Sequence, residues 1–452
     1  MRAWRFVLWM FLVSVPMCAR AGVTIQNWTN ARGSAVYFVE IRGLPIVDLR
    51  VDFPAGSAYD PPGKAGLAAL TWRLIDTGAG RLDEERIAEA WVDLGARFSS
   101  SVEADRGGIS LRTLADPGKR DVAVNLVATL LGAPSFPAPI LERERDRVLA
   151  GLREAETKPE SVARRQFRAA IYPKHPYGVS ATPGSVMAIA RADVVDFSRR
   201  MTARSATITL VGDLSRAEAE ALADRISLAL PDGEVSSDLP TADAVAGRGI
   251  GVPFDATQAH IYVGMAAIAR GDADFFPLLL GNFIFGGGGF VSRLTSEVRE
   301  KHGYAYSVHS YFDPQRQAGP FQINLQTRRE QSDAALALVR QTLETFLREG
   351  PNKDELARAK RNLIQGFALR LDSNRKVLEQ VATIGFYRLP LDWLDRFPER
   401  VAAVSAREIR DAFRRRVRPE QMVTLVLAGG DSSSTPSANA PSGPAAVRSN
   451  LP

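Results

Sequence analysis

Internal repetition is the feature that most restricts what this chain can fold into. Residues 109–114 (Ile-Ser-Leu-Arg-Thr-Leu) alternate apolar and polar side chains as a half-buried strand does, and a helical pattern follows over 122–131. The second half answers with a strand pattern over 321–327 and a helix from about 333 to 347. One register relates them: Ile109 and Leu111 match Ile323 and Leu325, and Leu149 in one charged helix matches Leu363 in another, each 214 residues on. A single register of this kind marks a duplicated unit.

Each half also closes with a basic helix, over 194–201 and 409–417, leading into an apolar strand, over 206–212 and 422–429. A further strand over 96–102 precedes the one at 109–114 as a hairpin neighbour. Strands and helices in such blocks predict an α+β fold class: two tandem α/β-sandwich halves, each a sheet with helices packed on one face, joined by a linker as a clam shell. Residues 231–251, polar and helix-poor, are the expected interdomain linker, between an N-terminal domain at 22–230 and a C-terminal domain at 252–430.

The two ends carry signals of their own. Arg2 and Arg5 precede an apolar run over 6–17, and Ala19-Arg20-Ala21 is a small-x-small cleavage pattern, so residues 1–21 read as an export signal peptide. The run is short for a membrane helix, and Met17 ahead of Cys18 does not suit lipidation, so no stable membrane anchor is expected. Residues 431–452, rich in Ser, Pro, Ala and Asn, read as a disordered tail. Removing Arg2, Arg5 and Arg20 lowers the formal charge from +6 to +3, which gives no case for nucleic acid. Cys18 is the only cysteine, excluding a disulfide framework and a thiolate zinc cluster. No two of the four histidines, His175, His260, His302 and His309, have the i, i+4 spacing of a helical metal pair.

Two segments carry candidate chemistry. In the first, the glycines 286–289 permit positive φ and close backbone approach, ahead of a helix in which Leu294 and Val298 are four apart. The run lacks the G-K-[ST] ending of a phosphate loop. Gly303 is placed to end that helix in the left-handed region, after which Tyr304, Tyr306 and Val308 alternate along a strand. Arg299 and Tyr306 then flank one tight turn, and their heads can converge. The plainer reading makes Arg299 a complement to its helix dipole and Tyr306 a half-buried strand residue. Arg293, as a tie for the glycine loop, and Tyr304 are lesser candidates. The second segment, 53–74, contains a Leu67, Leu70, Leu74 stripe that reads as a core helix capped by Gly78.

Both segments resemble the pitrilysin, insulinase and mitochondrial processing peptidase family. That family's first half carries G-S-x-x-[DE]-x-P-x-x-x-G-[LI]-A before H-x-x-E-H, and Gly56, Ser57, Asp60, Pro62, Gly66, Leu67 and Ala68 fit the first part. Its second half carries G-x-x-S-R-L-x-x-x-[LV]-R-E-K-x-G-x-x-Y, which residues 289–306 match throughout. The tandem halves and the His175-Pro-Tyr-Gly element extend the likeness over nearly all of the chain after residue 21. At the position of H-x-x-E-H the chain instead reads Ala69-Leu-Thr-Trp72-Arg73, and the family's distal Glu falls near Ala150 and Gly151. Ala69 has no lone pair, Trp72 offers only an N–H donor, and Arg73 is a fixed cation. Ala69, Trp72, Arg73 and Gly151 therefore mark lost positions, and neither metal nor another cofactor is expected on this chain.

By resemblance, Arg299 and Tyr306 fall on the family's carbonyl-binding pair, and Gly287, Gly288 and Gly289 on its substrate loop. A guanidinium and a phenol O–H can stabilise the charge that develops on a peptide carbonyl oxygen. The resemblance implies a non-catalytic, substrate-binding subunit of a heterodimeric zinc metalloendopeptidase in the periplasm. A homologous partner with H-x-x-E-H would hold the zinc, and an extended peptide would add to a sheet edge. The chain alone is not expected to be an active peptidase. The alternative is an inactive scaffold or peptide-binding protein with no proteolytic partner.

Overall fold

Strands form where β-branched and aromatic residues alternate or run together, and a computed structural model describes them within residues 23–234 and 238–429. The signal peptide expected at 1–21 and the tail expected at 431–452 lie outside the described residues. The first half contributes β1 (Gln26–Thr29), β2 (Ala35–Glu40), β3 (Ile46–Phe53), β4 (Gly78–Ala79), β5 (Leu82–Asp83), β6 (Arg97–Val102), β7 (Gly107–Leu114) and β8 (Thr207–Gly212). The second contributes β9 (Arg248–Pro253), β10 (Gln258–Ile268), β11 (Ser307–Phe312), β12 (Gly319–Arg328) and β13 (Val423–Ala428).

A six-stranded sheet runs β1-β2-β8-β3-β7-β6 and a five-stranded one runs β11-β12-β10-β13-β9. Read backwards, the second order maps strand for strand onto β2-β8-β3-β7-β6, with the single parallel pair, β2 with β8 and β9 with β13, in the same place. Ile109 and Leu111 on β7 face Val51 and Leu49 on β3, and Ile323 and Leu325 on β12 face Val263 and Ile261 on β10. Leu149 and Leu363 are both buried, in helices Ala138–Glu156 and Lys353–Gln365. The chain thus adopts the expected α+β class with two tandem halves. The stretch 231–251 differs from the expected linker at its end, because its last residues enter β9 and pair in parallel with β13.

Each sheet packs its own half's helices on one face, and the other face is covered from the opposite half. Helix Pro159–Ile171 buries Val162, Phe167 and Ile171 in a cluster with Tyr262, Val423 and Leu425 of the second sheet, Phe167 and Tyr262 having ring centroids 5.5 Å apart. In return, helix Asn374–Tyr387 buries Val377, Val381 and Ile384 in a cluster with Tyr37, Val39 and Val211 of the first sheet. Ala163 and Phe167 stand 214 residues before Val377 and Val381, so this exchange of helices obeys the internal repeat. Gly385 is needed where the second helix crosses, since a Cβ there would come within 2.7 Å of the Tyr37 ring. Each fully buried Val, Leu, Ile or Phe in the two interfaces contributes about 1.5–3 kcal/mol. The clam shell is therefore closed on itself by apolar contact.

A buried carboxylate stitches the same junction. Asp105, in the β6–β7 turn and 1% exposed, accepts the Tyr177 phenol at 2.5 Å, the Tyr387 phenol at 2.8 Å and the Arg316 backbone N–H at 2.7 Å. His175, between helices, is buried: its Nδ1 accepts the Tyr177 N–H at 3.1 Å, leaving Nε2 to donate to the Pro240 carbonyl at 2.8 Å. Burial keeps its pKa below the ordinary imidazole range.

Truncating Phe167, fully buried between the halves, to Ala should cost about 3–5 kcal/mol in urea unfolding. Hydrogen exchange should show protection of β10 and β13 falling together with that of helix Pro159–Ile171. Unchanged protection in the second sheet would contradict the interlock.

Candidate functional site

The motif-bearing helix, Leu67–Arg73, starts after Gly66 at φ 103°. Asp60 accepts the Gly66 and Ala68 N–H groups, both at 2.7 Å. Burial pushes the Asp60 carboxyl up to about 6 against the pull of those N–H groups. Leu67, Leu70 and Leu74 are buried as the stripe requires. The helix ends at Leu74 rather than at Gly78, which pairs with Asp83 and is small because a Cβ would overlap the Ser135 hydroxyl.

At the family's metal position nothing fits zinc. Ala69 is half-buried, and Trp72, 1% exposed, turns its indole inward against Phe53 and donates Nε1–H to the Ala55 carbonyl at 2.9 Å. Arg73 reaches out to Glu144 on helix Ala138–Glu156, Nε to Oε2 at 2.6 Å. Arg143 and Arg147 also bind the Glu144 carboxylate, which is itself buried. Burial pushes the Glu144 carboxyl up, but the hydrogen bonds and charges of Arg73, Arg143 and Arg147 outweigh it and hold the group below the usual carboxylate range. Gly151 lies exposed with no side chain beside it, and Glu154 and Glu156 pair with Lys158 and Arg165. Among the described residues no group of three or more His, Cys, Asp or Glu is arranged to hold a metal.

The second segment builds a different surface. Helix Phe275–Asn282 runs into the glycine loop, which Asn282 and Ser310 pin to β11: the Asn282 amide donates to the Ser310 carbonyl at 3.1 Å and accepts the Ser310 hydroxyl at 2.7 Å. Only Gly289 uses a positive φ, 61°. Gly286, Gly287 and Gly288 are required for close approach, since a Cβ on them would overlap Ser310, Asn282 and the Phe283 carbonyl respectively. Residues 295–301 wind as a π-type helix with Val298 inward, a local widening common at functional sites. Gly303, at φ 64°, closes it by donating to the Arg299 carbonyl, while the Tyr304 N–H reaches back to Val298.

Arg299 and Tyr306 do converge. The Arg299 guanidinium lies over the Tyr306 ring at 5.2 Å and over the Phe290 ring at 5.1 Å, so it is held between two aromatic faces. It makes no ion pair among the described residues. Tyr306 is 77% exposed, not a half-buried strand residue: β11 begins at Ser307, and the unpaired residues before it turn the phenol outward, off the face that buries Val308. Arg293 does not tie the glycine loop. It makes a two-pronged pair with Glu355 at 2.6 and 2.7 Å and donates to the Gly350 carbonyl, bracing helix Lys353–Gln365. The Tyr304 carbonyl accepts the Thr327 hydroxyl, an anchoring role. His260 and His309 share a shallow hollow with Glu160, while His302 caps the Glu297 carbonyl.

Phe290 is the site residue that sequence reasoning passed over. Its signal was a bulky apolar pair, Phe290 and Val291, directly after a glycine run, where a loop has nothing to bury; both are exposed.

Residues 40–182 match the family profile described as Insulinase (Peptidase family M16), and residues 188–363 that of the Peptidase M16 inactive domain. A crystal structure of a peptidase M16 inactive domain from Pseudomonas fluorescens superposes with a TM-score of 0.86 at 35% identity, covering 90% of this chain and 99% of that one. A Helicobacter pylori protease superposes at 0.83 with 18% identity over 90% of this chain and all of that one, a likeness of fold. A Helicobacter pylori protein named non-peptidase homolog YmxG is 23% identical over 406 residues, 88% of this chain and 93% of its own length.

Because the Glu144 carboxyl is depressed on folding, its ionised form adds stability above the ordinary glutamate value of 4.5, and that stability is lost as pH falls through the folded value. Glu144→Gln should therefore destabilise at pH 7, and the gap to the unsubstituted protein should narrow in acid unfolding curves below about pH 4.5. A gap that stays constant with pH would contradict the charge pairing. With a ligand-free zinc motif, an intact second-half signature and a close structural match over most of its length, the chain belongs to the insulinase family of peptidases, M16.

Proposed function

We propose that this chain is the non-zinc, substrate-binding member of a two-chain M16 peptidase in the periplasm, pairing with a homologous chain that carries H-x-x-E-H. The observation that carries the reading is the Arg299 guanidinium held between the exposed rings of Phe290 and Tyr306, without an ion pair among the described residues, on a chain whose own metal positions are disabled. A buried structural arginine is normally paired; Arg293, a few residues away, is.

In this reading the Arg299 N–H groups and the Tyr306 O–H donate to carbonyl oxygens of a bound peptide and favour the charge that grows there on cleavage. The aromatic faces fix the guanidinium's direction before substrate arrives, so less order is lost on binding. β11 is the edge strand of its sheet and starts directly after Tyr306, which suits an extended peptide joining that edge. The exposed Gly287 and Gly289 let a peptide backbone come close. A second reading, peptide binding with no proteolytic partner, is favoured by the relative named as a non-peptidase homolog.

The purified chain should hold no stoichiometric zinc and cleave no peptide, and hydrolysis should appear on mixing with an H-x-x-E-H homologue from the same cell. Arg299→Ala and Tyr306→Phe should each lower kcat/KM of the mixture by about 10²–10³ while the heterodimer still elutes intact. Unchanged turnover rejects the site, and stoichiometric zinc in the single chain rejects the division of labour. Peptide binding abolished by Arg299→Ala, with no hydrolysis in any mixture, selects the second reading.

A further inference from the structure

We infer that the junction between the two halves contains a binding site for a small zwitterion of the α-amino-acid type, a free amino acid or a dipeptide, separate from the Arg299–Tyr306 surface. A cavity of about 330 Å³ lies there, against the roughly 10–15 Å³ that admits one water. Its walls come from the β6–β7 turn and helix Pro159–Ile171 of the first half, and from the residues after β10, the β11–β12 turn and helix Asn374–Tyr387 of the second.

The charges on these walls are unequal in their partners. Glu103 is committed to Arg106 at 3.0 Å, and Asp105 to its two phenols and a backbone N–H. Arg168 and Arg270, by contrast, make no ion pair among the described residues. Arg168 donates Nε to the Tyr177 carbonyl at 3.2 Å, and Arg270 lies over the Tyr387 ring at 5.2 Å with its Nε buried and without a hydrogen-bond partner. On the acceptor side, among the described residues the Asp313 side chain accepts only the Gln315 amide, at 3.2 Å, and makes no ion pair. Gln315 is 7% exposed, and its Oε1 is buried and unsatisfied.

Two of the lining residues, Arg270 and Gln315, thus each carry a buried polar atom without a hydrogen-bond partner, at a cost of about 1–3 kcal/mol apiece, which the packing here keeps in place. Arg168, Arg270 and Asp313 line the same space with no ion pair among them. A ligand carrying both signs spans that space. Its carboxylate meets the guanidinium N–H groups of Arg270 and Arg168, and its ammonium meets the Asp313 carboxylate. A simple anion would leave Asp313 unmet, and a simple cation would leave the arginines so. Because its walls come from both halves, occupancy stabilises the closed junction.

Calorimetric titration of the full chain with L-alanine, L-alanyl-L-alanine, N-acetyl-L-alanine and L-alaninamide tests this. At least one of the two zwitterions should bind and raise the melting temperature, and which of them binds more tightly separates free amino acid from dipeptide. Each singly blocked compound should bind about ten-fold or more weakly, having lost one charged contact. Arg270→Met should abolish the zwitterion's heat and melting shift while leaving the circular dichroism spectrum intact. No binding by either zwitterion to the folded protein, or equal binding by the blocked forms, overturns the assignment whether or not the variant folds.

Discussion

The exchange of one helix between the halves is the contact on which the rest of the architecture depends. A sheet with one bare apolar face is unstable in water, and each half here supplies the cover that the other lacks: Phe167 lies on Tyr262, and Val381 joins Tyr37 and Val39. Neither half is complete alone, so the chain behaves as one body although it is built from a duplicated unit. The Asp105 network and the His175 to Pro240 bond lie along the same seam and pair its polar groups.

On that common frame two surfaces diverge in chemistry. On the first half, the helix that in active relatives would carry metal ligands has been absorbed into packing and ion pairing, its polar end taken up by Arg73 and Glu144. On the second half, the corresponding investment is at the surface: a glycine loop pinned by Asn282 and Ser310, a widened helical turn, and an arginine clasped by two exposed rings. Exposed aromatic surface costs free energy in water and is seldom kept without a contact to make.

Much of this was legible in the residues. The 214-residue register located the duplicated strands because period-two alternation and a buried Leu in each charged helix are local patterns. Gly303 announced the left-handed close of its helix, and the Arg299–Tyr306 convergence followed from that turn. The helix exchange was not legible, because the stripe Val162, Ala163, Phe167 says that a face is buried and not which sheet buries it. Nor was the pairing of Arg73 with Glu144, 71 residues apart, since charges of opposite sign are everywhere on such helices. Asp105 looked like any carboxylate in a hairpin turn; only the fold brings Tyr177 and Tyr387 to it. Only the plainer reading of Tyr306, as a half-buried strand residue, fails, because the alternation does not extend back through residues that no neighbouring strand pairs.

The Trp72 indole has a counterpart in Gly107, where any Cβ would collide with Nε1. The ring has become part of the interior scaffolding, with Phe53 stacked on it and the Ala55 carbonyl capping it. A glutamate at this point would leave empty part of the volume that the ring fills against the neighbouring strand, and would bury a lone carboxylate in its stead. Restoring H-x-x-E-H to this chain is thus obstructed by sterics beyond the missing ligands themselves: the ring and the glycine opposite it would have to change together.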